Sequence, residues 1–329
     1  MLGNFLTGAA FGAALTTAGI HQPGIIVEQM RFDNFHMFQT FITASATSML
    51  FVTVLQKSGY LHLKPRSYSS LNLFSSLDGN ILGGCILGAG MTLSGSCPGT
   101  VFSQIGSGIR SGYYTLAGAV LGGVIYTGGL RQALEARKSS VKPGKPGPQH
   151  LTIDEVLGVN QTVTVIGLGA TFAAVLATAS SLSLVKTHGL VGPIVGGFLV
   201  TCAQLASVIL RTNLLGTSTS FEEVGDTFWW LTGRNTKPRS YGAVTLTTGM
   251  VAGAMAISYA FPSAQTVPTF GITPTRTIVG GILMGIGSRL GGGCTSGHGI
   301  SGLSLLSVSS FVTVASMFAG GMGLAALLD

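Results

Sequence analysis

The chain has 329 residues, with 17 Lys or Arg against 10 Asp or Glu and a formal net charge of +7. Only 8% of residues are charged, against about 25% in an ordinary soluble domain, and the mean hydropathy is +0.56. These values argue against a soluble enzyme. Four cysteines in apolar stretches make no disulfide framework, and the basic residues are not interleaved with aromatics as in a nucleic-acid-binding domain.

In chain order, weakly charged runs occupy 2–20, 35–56, 112–130, 158–182, 189–210, 242–261 and 311–328. Each is near the ~20 residues that a helix needs to cross a ~30 Å hydrocarbon core. The first lacks the basic flank and cleavage site of a secretory signal and is expected to stay as a helix. Residues 131–150 are hydrophilic and include Lys-Pro-Gly-Lys-Pro-Gly-Pro, which cannot continue a helix. The Lys and Arg of this connection place it in the cytoplasm by the positive-inside tendency.

Two further apolar segments are short and broken. One, 79–93, stops at Ser94-Gly95-Ser96-Cys97-Pro98-Gly99-Thr100 and resumes over 101–109. The other, 277–290, stops at Gly291-Gly292-Gly293-Cys294-Thr295-Ser296-Gly297-His298-Gly299 and resumes over 300–308. At one offset (280 − 83 = 197) Gly83, Gly84, Gly88, Gly90, Leu93, Gly95 and Cys97 align without a gap on identical residues ending at Cys294. A second match pairs Asp33 and Phe35 with Asp226 and Phe228. The expected fold is an all-α polytopic membrane protein of two pseudo-symmetric repeats, its broken or re-entrant half-helices meeting near the bilayer midplane. The expected division is an N-terminal membrane repeat over 1–130, a hydrophilic linker over 131–157, and a C-terminal repeat with one extra helix over 158–329. Matched interrupted segments in two halves are the strongest sequence pointer to a transporter's binding site.

Pro98 suits the first position of a new helix, where its missing N–H costs nothing. Cys97, and Cys294 in the second half, would then stand beside unpaired backbone N–H groups that accept anions. A polarizable S–H suits an anion whose charge rests partly on sulfur better than a hard oxyanion, provided that the thiols stay protonated. The candidate translocation residues are Cys97 with Ser94, Ser96, Pro98, Gly99 and Thr100, and Cys294 with Thr295, Ser296, Gly297, His298 and Arg289. Arg289 either draws an anion or fixes the turn, and His298 either assists binding or holds the turn. Glu28, Asp33, Glu222, Glu223 and Asp226 are expected as solvated or capping groups near helix ends. Cys85 and Cys202 are expected to pack as small hydrophobes. There is no phosphate-loop motif and no paired Cys-x-x-Cys spacing for zinc, so neither cofactor nor metal is expected.

At these residues the chain resembles the YeeE/YedE family of sulfur-transport membrane proteins. Its two hallmark motifs are similar to Leu93–Thr100 and to Gly291–Leu303, and the region of Ala18, Gly19, Pro23 and Ile26 resembles the first half of its two-part forms. Longer bacterial members carry another cysteine after the first helix; here 15–31 has none, and His21 and Gln22 occupy that neighbourhood. The resemblance implies a multi-pass protein, with the plasma membrane the first expectation and an organelle membrane left open. It implies thiosulfate uptake, the motif cysteines passing the ion along by hydrogen bonds. The expected partners are a small sulfur-containing anion and the lipid bilayer, with a homo-oligomer or an accessory sulfurtransferase left open and no nucleic acid. Competing readings are transport of a selenium compound, sulfide or another small anion, and a membrane sulfurtransferase that uses a cysteine persulfide.

Overall fold

A computed structural model describes residues 1–140, 150–182, 189–234, 237–238, 240–265 and 272–328. The Lys-Pro-Gly-Lys-Pro-Gly-Pro stretch lies outside the described residues.

Among the described residues the regular structure is all helical, apart from one isolated bridge between Thr152 and Ser307. The first part runs α1 (Leu2–Thr17), α2 (Pro23–Met30), α3 (His36–Lys57), α4 (Asp78–Ser94), α5 (Thr100–Gly106) and α6 (Arg110–Ile125). A π-turn over Tyr126–Leu130 leads into the hydrophilic α7 (Arg131–Ser140), followed by α8 (Ile153–Leu157) and α9 (Gln161–Leu182). The rest runs α10 (Pro193–Arg211), α11 (Thr219–Leu231), α12 (Gly242–Ala260), α13 (Pro274–Leu290), a π-helix over Thr295–Gly302, and α14 (Val308–Leu328). Prolines open α2, α10 and α13, where the first helical N–H has no partner in any case.

Among the described residues, α3, α9, α10, α12 and α14 are long and apolar enough to cross a membrane by length and composition. The expected run at 2–20 appears as the 16-residue α1, and that at 112–130 as α6, which continues without a break through the π-turn to Leu130. The expected resumption of the broken segments also shifts. The first resumes over Thr100–Gly106 rather than 101–109. The second resumes at Thr295, directly after the cysteine, rather than at residue 300. Its reason is local: the His298 N–H bonds the Cys294 carbonyl at 2.7 Å, so winding begins inside the glycine-rich stretch.

The helices α4 and α13 pack antiparallel at the centre because glycines remove the side chains between them. A Cβ placed on Gly90 would lie 2.6 Å from the Gly280 carbonyl oxygen, and one on Gly280 would lie 2.8 Å from that of Gly90. At the other end of the seam Gly287 approaches Gly83 in the same way. Flanking them, α14 lies along α4, with Thr313 over Gly84 and Met317 over Gly88, and α6 lies along α13, with Thr115 over Gly281 and Ala119 over Gly285. Close approach through small residues is how helices associate where lipid gives no hydrophobic drive. Around this centre α1 packs on α12 and α10 packs on α3, while α9 lies outside against α3. The buried core includes Phe11, Leu15, Met91, Leu215, Phe221, Met250, Met284 and Ile300.

This packing separates two ends. α4 begins at Asp78 and α13 finishes at Leu290 beside Cys294, whereas α4 finishes at Ser94 beside Cys97, where α13 begins.

Candidate functional site

Helix α4 stops because Gly95 takes a left-handed conformation (φ 61°, ψ 32°), and its N–H returns to the Met91 carbonyl. Such a stop is open to glycine without a Cβ penalty. The turn that follows is tied down by its own hydroxyls and amides. Ser94 Oγ donates to the Gly90 carbonyl at 2.7 Å, Ser96 Oγ donates to Gln104 Oε1, and Gln104 Nε2 donates to the Gly95 carbonyl at 2.9 Å. Ser94 and Ser96 are therefore spent on the turn.

The turn that leads into α5, whose N-cap is Gly99, opens on Cys97. Its carbonyl accepts from the Val101 N–H at 3.0 Å, its own N–H donates to Thr100 Oγ1 at 2.8 Å, and its sulfur accepts from the Thr100 N–H at 3.4 Å. This is the reciprocal pattern of a capping box with sulfur in the hydroxyl's place. Pro98 and Gly99 form the turn before α5, so the proline precedes the helix by two residues instead of taking its first position as expected. The Gly99 N–H also faces the sulfur, and a Cβ there would lie 3.8 Å from Sγ. Cys97 is 1% exposed.

Cys294, also 1% exposed, precedes the π-helix, a winding often found at functional sites. Its sulfur lies 3.3 Å from Ser296 Oγ and 3.4 Å from Thr217 Oγ1, and those two hydroxyls are 3.4 Å apart. The N–H groups of Thr217 and Gly297 also face the sulfur. Each thiol thus has hydroxyl and backbone N–H donors around it, and neither has a histidine or carboxylate in hydrogen-bond reach among the described residues.

The other expected residues divide. Thr295 Oγ1 points at the sulfurs of Met91 and Met317, 3.7 Å from each. His298 spends both ring nitrogens on the fold, Nδ1 with Ser310 Oγ at 2.8 Å and Nε2 with the Gly291 carbonyl at 3.1 Å. It holds the turn and offers Cys294 no base. Arg289 forms an ion pair with Glu222 and lies 6.0 Å from the Tyr126 ring centroid. Arg131 joins the same cluster, 3.1 Å from Glu222 and 2.9 Å from Asp226, so two cations meet two carboxylates. Glu223 caps α12 by accepting from the N–H groups of Ala243 and Val244. Cys202 is exposed on α10 and Cys85 is half-buried on α4, so neither is packed away as expected.

Sequence reasoning missed two residues. Thr217 lies 77 positions before Cys294 and carries no motif, so only the fold reveals it. Arg66 reads in the sequence as one of several basic residues of a connection. In the structure the segment 58–77 crosses the Cys294 end, where Arg66 Nη1 donates to the Gly292 carbonyl at 3.0 Å. Its backbone N–H donates to Ser307 Oγ and its carbonyl accepts from Ser309 Oγ.

The apolar spans and the buried polar centre that they enclose define a multi-pass integral membrane protein of the transporter class. The chain belongs to the Sulphur transport family, whose pattern it matches over residues 18–323. It is 24% identical over 321 residues to the "Thiosulfate transporter TsuA" of Spirochaeta thermophila, covering 93% of this chain and 92% of that protein. Two strains of Xylella fastidiosa have a "Probable transporter" that is 32% identical over 136 residues. That match takes in 93% of the relative but 41% of this chain.

Proposed function

We propose that this protein is a permease for thiosulfate or a closely similar sulfur-containing anion, and that the anion passes between the Cys97 and Cys294 thiols. The observation that carries this reading is the pair of buried sulfurs, each ringed by hydroxyl and backbone N–H donors. A protonated thiol donates a weak, polarizable hydrogen bond, which matches a terminal sulfur, while the N–H groups match the anion's oxygens. Thr100 and Gly99 serve the first thiol; Ser296, Gly297 and Thr217 serve the second. Ser94, Ser96, Pro98, Thr295 and His298 shape the two turns, and Arg289 is held by Glu222. Both thiols are closed from solvent, so passage requires transient opening at each end.

The reading extends to two inverted repeats, α1–α6 and α10 to α14, joined by a linker that carries α7 and α8, with α9 as the extra helix. Reciprocal approach across the α4/α13 seam supports it: shifting Gly83 against Gly287 by 197 gives Gly280 against Gly90. The pairs Gly84 with Thr313 and Gly281 with Thr115 follow the same rule, with 313 − 115 = 198. A relative of about half this length also fits a duplicated unit. Among the described residues, Lys57, Lys64, Arg66, Arg131, Arg137, Arg211, Arg234 and Lys237 lie towards the Cys294 end, and only Arg31, Arg110 and Arg276 towards the other. The positive-inside tendency then puts Cys294 at the cytoplasmic mouth, so that imported anion meets Cys97 first.

The test is uptake of radiolabelled thiosulfate into proteoliposomes. Cys97→Ala and Cys294→Ala should each abolish uptake while leaving the protein monodisperse, and unlabelled thiosulfate should compete better than sulfate. Uptake that survives both substitutions defeats the reading. A persulfide on either cysteine during turnover, found by mass spectrometry, would instead favour a sulfurtransferase, although a nucleophile of that kind needs a nearby base.

A further inference from the structure

Arg66 is held in an unusual way for an arginine at the edge of a membrane protein. It has no carboxylate partner among the described residues, whereas Arg131 and Arg289 are neutralised by Glu222 and Asp226. One guanidinium nitrogen, Nη1, donates to the Gly292 carbonyl. The other, Nη2, points along the glycines that flank the second thiol: a Cβ on Gly297 would lie 3.0 Å from it, and one on Gly216 would lie 3.8 Å away. On the opposite side, a Cβ on Gly293 would lie 2.8 Å from Nη1. Three glycines next to Cys294 and Thr217 are therefore what let the guanidinium sit against the turn. Its charge lies within electrostatic range of the Cys294 sulfur. The segment that carries it is fastened on both sides, at Ser307 and Ser309 through the Arg66 backbone and at Leu290 through Ser69 Oγ, 2.6 Å from that carbonyl.

We propose that Arg66 is the anion-selecting residue of the Cys294 mouth: an unneutralised, planar donor that draws anions to the second thiol and binds them before release. This rests on the permease reading for its biological sense, but the selection of charge can be measured without transport. An arginine presents a fork of donors that suits oxyanions, and its freedom from acidic partners leaves Nη2 available to them. The glycine-rich turn supplies the floor of this mouth and the segment 58–77 its roof.

The experiment uses the full chain with Cys85, Cys97 and Cys202 changed to Ala, so that Cys294 is the sole thiol. Rates of its modification are compared for the anionic 2-sulfonatoethyl and the neutral methyl methanethiosulfonates, each relative to a free thiol in solution. Opening of the protein limits both reagents alike and cancels in the ratio. The anionic reagent should be favoured about tenfold or more, the lower range of electrostatic focusing in a charged cleft. Arg66→Gln should remove that preference, and Arg66→Lys should keep most of it. A ratio at or below one in the parent protein overturns the proposal without recourse to any variant. So does an unchanged ratio in Arg66→Gln, or equal acceleration of both reagents, which would make Arg66 only a plug. If this single-cysteine protein shows the charge preference but the wild-type protein takes up no thiosulfate, the permease reading falls and the Arg66 assignment stands; wild-type uptake with no preference gives the reverse.

Discussion

The Cys97 and Cys294 turns occupy matching places in the sequence but are built differently. Cys97 is served from within its own segment, because Thr100 both receives its N–H and supplies donors to its sulfur. Cys294 is assembled from three parts of the chain: Ser296 beside it, Thr217 from the approach to α11, and Arg66 from the segment that crosses its mouth. A thiol held by a local cap is fixed as soon as its helix forms. One held by distant elements depends on how those elements sit, so it can respond when they move. On the permease reading proposed above, the first turn is the rigid station of the pair and the second the adjustable one.

The largest effects should come from the α4/α13 seam. Gly90→Val and Gly280→Val both drive a branched side chain into backbone across α4/α13, where no flexible neighbour can give way. Overpacking usually costs about 1–3 kcal/mol and occasionally more. With backbone as the obstacle, both variants should exceed that range and lose monodisperse protein in size-exclusion chromatography. Because the two glycines face each other reciprocally, equal damage is expected; a well-behaved Gly280→Val beside a ruined Gly90→Val would mean that the seam is not closed by this pair.

Removing single hydroxyls should separate the two turns. Thr100→Val leaves the buried Cys97 N–H without its acceptor, a loss of about 1–3 kcal/mol that a thermal-unfolding midpoint would register. Thr217→Val removes one of two hydroxyls at the Cys294 sulfur and orphans no backbone group, so about 0.5–1.5 kcal/mol is expected. Its uptake should nevertheless fall further than its stability suggests. If Thr217→Val transports normally, the distant hydroxyl is packing and the adjustable station is mistaken.

Glu222→Gln addresses the charges that were expected to draw anions. It takes the partner of Arg289 and one of the two partners of Arg131, with side chains 16% to 27% exposed. A cost of about 1–3 kcal/mol is expected, between that of exposed pairs and broken buried ones. Thiosulfate affinity should change little, since Arg66 rather than Arg289 faces the thiol. Uptake kinetics that move in KM alone would return the anion-binding role to Arg289.

Much of this was legible in the sequence. The aligned glycines and cysteines marked the broken segments because close helix packing needs glycine at fixed spacing, and Pro98 marked the restart because few other positions tolerate it. The membrane class followed from hydropathy. What the sequence could not carry were partnerships fixed by tertiary contact. Arg289 looked like the lone cation of its motif because Glu222, 67 residues earlier (289 − 222), carries no local signal that the two meet. Arg66 looked like any loop cation because the path of residues 58–77 depends on bonds to Leu290, Ser307 and Ser309. The start of the second resumed segment differs for another reason: glycine-rich sequence gives little helix propensity, yet the winding begins there with the His298 N–H on the Cys294 carbonyl.

The smallest effect tests how the roof over Cys294 is secured from outside. Tyr68 Oη donates to the His150 carbonyl, and Ile153 and Val308 exchange backbone bonds with Leu306 and Leu151, which links the segment after the linker to the Arg66 segment. Glu155 holds this corner by accepting from the N–H groups of Leu151 at 2.7 Å and Thr152 at 3.2 Å. Those two N–H groups keep its carboxyl below the ordinary glutamate range. A carboxyl with a lowered native pKa stabilises the fold above its ordinary value, about 4.3, and the contribution is lost as pH falls through the lowered value. Glu155→Gln should therefore speed amide exchange at Leu151 and Thr152 modestly at pH 7, and the gap from the parent should close only below about pH 4. The Cys97 turn shares none of these bonds, so exchange at Thr100 should not change at any pH. Faster exchange at both turns would mean that the two stations open as one unit and that their difference in construction has no dynamic consequence.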